Sequence, residues 1–208
     1  MLPAVSTLRL HAKARRWNDL LAFGIGFALA VIYHVVHMMP GGIAEASLWG
    51  VSGATWRTLD ILWAQGLLAR TFGHVVGVHR PSLATFANLA FPAGVLVMSK
   101  TFEVFTLGIA SKILSIVVFL TLVAKLSLEG RESMPQYDAT RGRAALVCFA
   151  LGLMCFPLPE LVPEMYWLFH SLWHIFMAAG IFEVYLELSS VEGLKKPIWL
   201  PAHMVKIS

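Results

Sequence analysis

Residues 18–39 read NDLLAFGIGFALAVIYHVVHMM. After Asp19 the run holds no Asp, Glu, Lys or Arg, and its only titratable side chains besides Tyr33 are His34 and His37 near its end. As a helix, its 22 residues would span roughly 33 Å at about 1.5 Å per residue, close to the roughly 30 Å of bilayer hydrocarbon. A surface helix of a soluble domain would show a continuous polar face, and this run has none. It is therefore expected to cross a membrane.

The rest of the chain follows suit. Of its 208 residues, 58% are hydrophobic and 13% charged, against about 25% charged in ordinary soluble domains. Starting from helix A at 18–39, five more apolar runs qualify: B at 56–78, C at 82–98 with Pro92 inside it, D at 103–125, E at 142–158 and F at 164–187. The predicted fold is all-α: a polytopic transmembrane helix bundle with six spans. Residues 1–16 form a basic cytoplasmic segment, 17–188 the bundle, and 189–208 a cytoplasmic tail. The first 16 residues lack the apolar stretch of a secretory signal. Cys148 and Cys155, seven apart on one helix face, are expected to be free thiols.

Lys and Arg set the orientation. Arg9, Lys13, Arg15 and Arg16 precede helix A; Arg80 lies between B and C; Lys125, Arg131, Arg141 and Arg143 lie between D and E; Lys195, Lys196 and Lys206 are in the tail. The E–F connection is acidic, with Glu160 and Glu164, and the C–D turn has Lys100 beside Glu103. Both ends are then cytoplasmic in a multi-pass protein, of the plasma membrane or an endomembrane. With the net charge of +4 spread over these turns, nucleic acid is not an expected partner. A membrane lipid is, and a homodimer is a candidate assembly.

Ionisable groups inside a membrane are costly and mark functional sites. The alternating topology places His34 and His37 near the outer end of helix A, Asp60 near the outer start of B, and His170 and His174 within the outer turns of F. Four histidines and one aspartate thus share a depth. Neutral imidazole is the commonest metal ligand, and catalytic zinc commonly takes three protein ligands and keeps a position for water. His170 and His174, one helical turn apart, and His34 make such a set, with Asp60 as the candidate general base. His37 is an alternative ligand or an aqueous-rim residue. Deeper in the bundle, Arg70 and Glu183 match in depth and are expected to form a structural ion pair. Lys112 in helix D either faces a cavity or snorkels.

At these residues the chain resembles the myomaker family, within the superfamily of alkaline ceramidases and adiponectin-type receptors. The similar stretches are LPAVS followed by AKARRW (2–6 and 12–17), YHVVHMMPGG (33–42), LDIL (59–62) and, most specifically, HSLWH (170–174). The resemblance implies a seven-helix bundle lacking its first helix here, and a zinc site of His34, His170 and His174 with Asp60 as acidic partner. Ceramidase-like and phospholipase-like members of the superfamily hydrolyse lipid amides or esters, whereas myomaker is known for membrane fusion. Members often carry a serine, thought to help stabilise the reacting carbonyl, where this chain has Ala30.

Overall fold

The computed structural model describes residues 2–75, 81–102, 104, 106–129 and 138–193. Among these the chain is almost entirely helical: α1 (Leu2–Lys13), α2 (Trp17–Met38), the short α3 (Gly42–Glu45), a hairpin of β1 (Ser47–Leu48) and β2 (Val51–Ser52), α4 (Gly53–Val75), α5 (Pro81–Thr101), α6 (Leu107–Glu129), α7 (Ala139–Cys155), the short α8 (Leu158–Leu161), a 3₁₀ turn (Pro163–Met165) and α9 (Tyr166–Gly193). Helices α2, α4, α5, α6, α7 and α9 stand where helices A to F were expected. Among the described residues, three segments are long and apolar enough to cross a membrane: Trp17–Met38, Leu107–Leu128 and Tyr166–Leu186. They fit an integral membrane protein. Helix α4 is more polar, with Arg57, Asp60, Gln65, Arg70 and His74, and α7 is shorter, with 17 residues that open with Arg141 and Arg143. Helix α5 continues through Pro92 to Thr101, beyond the stop expected at 98. Arg80, Glu103, Arg131 and the tail beyond Gly193, with Lys195, Lys196 and Lys206, lie outside the described residues.

The chain divides into two compact units. The first comprises residues 1–20 and 135–208. In it α7, α8 and α1 all pack on α9. The α7–α9 contact is close because glycine faces side chain on both helices. A Cβ on Gly180 would stand 2.8–3.1 Å from the Phe149 ring, and one on Gly152 would stand 2.8 Å from Met177 Sδ. Gly180→Val should therefore destabilise this unit by roughly 1–3 kcal/mol through overpacking, measured as a lower melting temperature in detergent. Asp138 caps α7, accepting hydrogen bonds from the backbone N–H groups of Arg141 (3.1 Å) and Thr140 (2.9 Å). These two donors hold its carboxyl below the ordinary carboxylate range. The cap is thus in place above about pH 4 and is lost as acid protonates it through that lowered value.

Helix α1 was not foreseen in the basic N-terminal segment. Its buried face is carried by Thr7 and His11, four apart and 2% and 0% exposed. The His11 ring meets Tyr185 of α9 edge-on at 4.5 Å. Arg15 ends the helix in the left-handed region (φ 55°), and the Arg16 N–H reaches back to His11 O at 2.9 Å. Arg16 then holds Asp19, Nε to Oδ2 2.7 Å, with its guanidinium 5.1 Å above the Tyr185 ring. Apolar periodicity gives no signal here, because the face is made of Thr and His.

The second unit comprises residues 21–134, in which α4 packs on α5 and α6, and α3 on the start of α4. Trp63 Nε1–H of α4 donates to Ala22 O of α2 at 2.8 Å. Gly26 lets the helices approach there, since a Cβ would stand 2.6 Å from Leu67 Cδ1. Ser115 of α6 donates to Gln65 Oε1 of α4 at 2.9 Å. After α2 the chain turns on Gly41 (φ 80°) and Gly42 (φ 57°), then forms the hairpin with Ser47 opposite Ser52 and Leu48 opposite Val51. Its two-residue loop is Trp49–Gly50, with φ 54° and 75°. Positive φ at both central residues is the type I′ turn of tight hairpins. For Trp49 that conformation costs roughly 1–2 kcal/mol.

Candidate metal centre

The candidate centre starts from a histidine pair on α9. His170 and His174 lie one turn apart on α9, where the i, i+4 spacing puts both side chains on one face. Their Nε2 atoms stand 3.1 Å apart, with the rings edge-to-face at 4.7 Å. Two nitrogens bound about 2.05 Å from a tetrahedral zinc are separated by roughly 3.3 Å. The pair therefore already holds the spacing of one edge of such a site. Tyr166 stacks flat on His170, centroids 5.1 Å apart and planes 15° apart. Trp173 packs on His174 at 4.4 Å, and Phe156 on Trp173 at 5.5 Å. These aromatic faces limit rotation of the two imidazoles.

On α2, Tyr33 is 1% exposed and lies against both histidines of that helix, 5.2 Å from His34 and stacked at 5.9 Å on His37. His34 offers a ring nitrogen as the third member of the set expected with His170 and His174, a set that could hold a metal ion. Their chemistry fits zinc, for which three imidazoles are an ordinary donor set. Neither His37 nor Asp60 belongs to that set. His37→Ala should accordingly leave the metal content of the purified protein unchanged, as checked by metal analysis.

Asp60 lies on α4 and is 4% exposed. It makes no hydrogen bond among the described residues. Ala30 lies one turn before His34 on α2 and supplies no hydroxyl. Glu183 has Arg141 Nη1 3.9 Å from its Oε2, a contact the sequence did not suggest. Arg70 is half-buried on α4, and Lys112 is exposed on α6. Cys148 and Cys155 are free thiols, as expected. Tyr33, Tyr166 and Trp173 were not singled out in advance, although Tyr33 precedes His37, and Tyr166 precedes His170, by the same four residues that separate His170 from His174.

No curated protein and no solved structure matches this chain. Residues 1–175 match the family described as "protein of unknown function (DUF3522)", a stretch that takes in His34, Asp60, His170 and His174. Because that match covers well over half of its 208 residues, the chain belongs to the DUF3522 family.

Proposed function

We propose that this protein binds zinc within the membrane and hydrolyses amide or ester bonds of membrane lipids. The observation that carries the proposal is the His170–His174 pair, whose Nε2 atoms stand 3.1 Å apart, with His34 as the third imidazole of the set. The resemblance to the myomaker family and its ceramidase-like relatives supports the same three ligands. In this proposal α4, α5 and α7 join the three apolar helices as spans, the basic segments lie in the cytoplasm, and the centre sits in the outer half of the bilayer.

A zinc ion held there supplies Lewis acidity toward a lipid carbonyl and lowers the pKa of water to about 7. The protein's own residues do the rest. The three imidazoles bind as neutral donors, oriented by Tyr166, Trp173 and Tyr33. With these three imidazoles as the protein's ligands, water and substrate would share the remaining position of a zinc held there. Asp60, whose carboxylate makes no hydrogen bond among the described residues, would take a proton from the attacking water and return it to the leaving amine or alkoxide.

Ala30 favours a second role, in which the protein remodels or fuses membranes and zinc is structural. The deciding experiment reconstitutes the purified protein with zinc in vesicles of amide-linked and ester-linked lipids and follows the release of free fatty acid. Release on one class supports hydrolysis and names the bond. No release on either class, with zinc bound, supports the structural role.

A further inference from the structure

The hairpin after α2 has the wrong composition for a loop in water. Residues 39–55 contain one charged side chain, Glu45. Large apolar side chains recur instead, at Met39, Ile43, Leu48, Trp49 and Val51. The segment begins where a helix long and apolar enough to cross a membrane ends, at Met38.

Its backbone is closed on itself. The N–H groups of Met39, Gly42, Ala46 and Gly53 donate to Val36, Met39, Gly42 and Ala46 at 2.9–3.2 Å. The strands pair, and Trp56 Nε1–H reaches Leu48 O at 3.3 Å. Ser52 Oγ accepts from the Thr55 N–H at 3.3 Å as α4 begins. Internal pairing of this kind is what a backbone needs where water is scarce.

The turn residue is the decisive point. Type I′ loops favour Asn-Gly, because both residues must adopt positive φ. Here Trp holds the first position at φ 54°, a rare conformation for a bulky side chain. Its indole is 76% exposed, with one ring contact among the described residues, edge-on to Trp56 at 6.1 Å. The most strained side chain of the loop therefore has almost no protein contact to offset the strain. Indole is amphipathic and concentrates at the headgroup level of bilayers.

We propose that residues 47–52 are an interfacial anchor. The hairpin lies on the leaflet at the C-terminal end of α2 and places the Trp49 indole at the boundary between headgroups and acyl chains. The partner is a lipid surface.

The test uses the full chain in phosphatidylcholine vesicles, and in vesicles whose acyl chains are brominated near the glycerol end. Bromine quenches tryptophan within the membrane, and aqueous iodide quenches it outside. The Trp49 signal is the difference between wild type and Trp49→Phe. Trp49→Asn, which suits the turn better, supplies the same difference if the Phe variant does not fold. The expected Trp49 emission is blue-shifted, loses most of its intensity in brominated vesicles, and changes little with iodide. A Trp49 signal quenched by iodide and indifferent to bromine would put the hairpin in water and overturn the proposal. A signal reached by neither quencher would mean that protein covers the indole, as in contact with a second copy, and would overturn it equally.

Discussion

Replacing His174 by alanine is expected to strip zinc from the protein. The Nε2 atoms of His170 and His174 already stand 3.1 Å apart, so in the proposed centre both would serve the same ion, and losing either would leave two imidazoles. Loss of a supporting residue outside the ligand set typically costs about 10–100-fold in metal affinity, and loss of a ligand should cost more. After equilibrium dialysis against a zinc buffer, the wild type should carry stoichiometric zinc and His174→Ala only background. Truncation at His174 leaves Gly152, Met177, Phe149 and Gly180 in place, so the α7–α9 contact persists and far-UV circular dichroism should be unchanged. Equal zinc in both proteins, or zinc in neither, would rule out the metal centre.

Asp60→Asn should separate chemistry from metal binding. Asn matches Asp in size but cannot accept a proton at neutral pH. Asp60 lies outside the three-histidine group, so the variant should hold as much zinc as the wild type. Its lipid turnover should fall by about 10²–10⁴-fold, the usual contribution of a general base. The buried position favours a clean comparison, because no hydrogen bond among the described residues depends on the carboxylate. Unchanged turnover would exclude Asp60 as the base. A loss of zinc together with turnover would instead make Asp60 part of the metal's support.

The legible parts of this protein were those written in long apolar runs and in one-turn spacings. The run at 18–39 led to α2 at Trp17–Met38, within a residue at either end, because the fourteen residues from Leu20 to Tyr33 carry no charged or amide side chain and leave a helix little choice of limits. The His170–His174 spacing indicated a shared face directly. His34 could be added from depth alone, since alternating helices return to the same level at predictable residues. Depth says nothing about rotation around a helix, however. It put His37 and Asp60 at the level of the ligands, and left His37 as an alternative ligand or rim residue and Asp60 as the candidate base. Helix α1 stayed hidden because its buried face is Thr7 and His11, which no hydropathy pattern detects. The Glu183–Arg141 contact was missed because Arg141 was counted as a loop charge, whereas it lies in the first turn of α7.

Two of the three donors share one turn of one helix, and the language of chelation gives that arrangement a consequence. As metal ligands, the α9 pair would be a bidentate claw whose bite is fixed by helix geometry and by the rings of Tyr166 and Trp173, so ordering it would consume little entropy. In the proposed set His34 would be a separate arm. The proposed centre should then load in sequence, with the α9 pair binding the ion first and His34 last. The three alanine variants should then differ: His34→Ala keeps a weak bidentate affinity, while His170→Ala and His174→Ala, which break the claw, keep almost none.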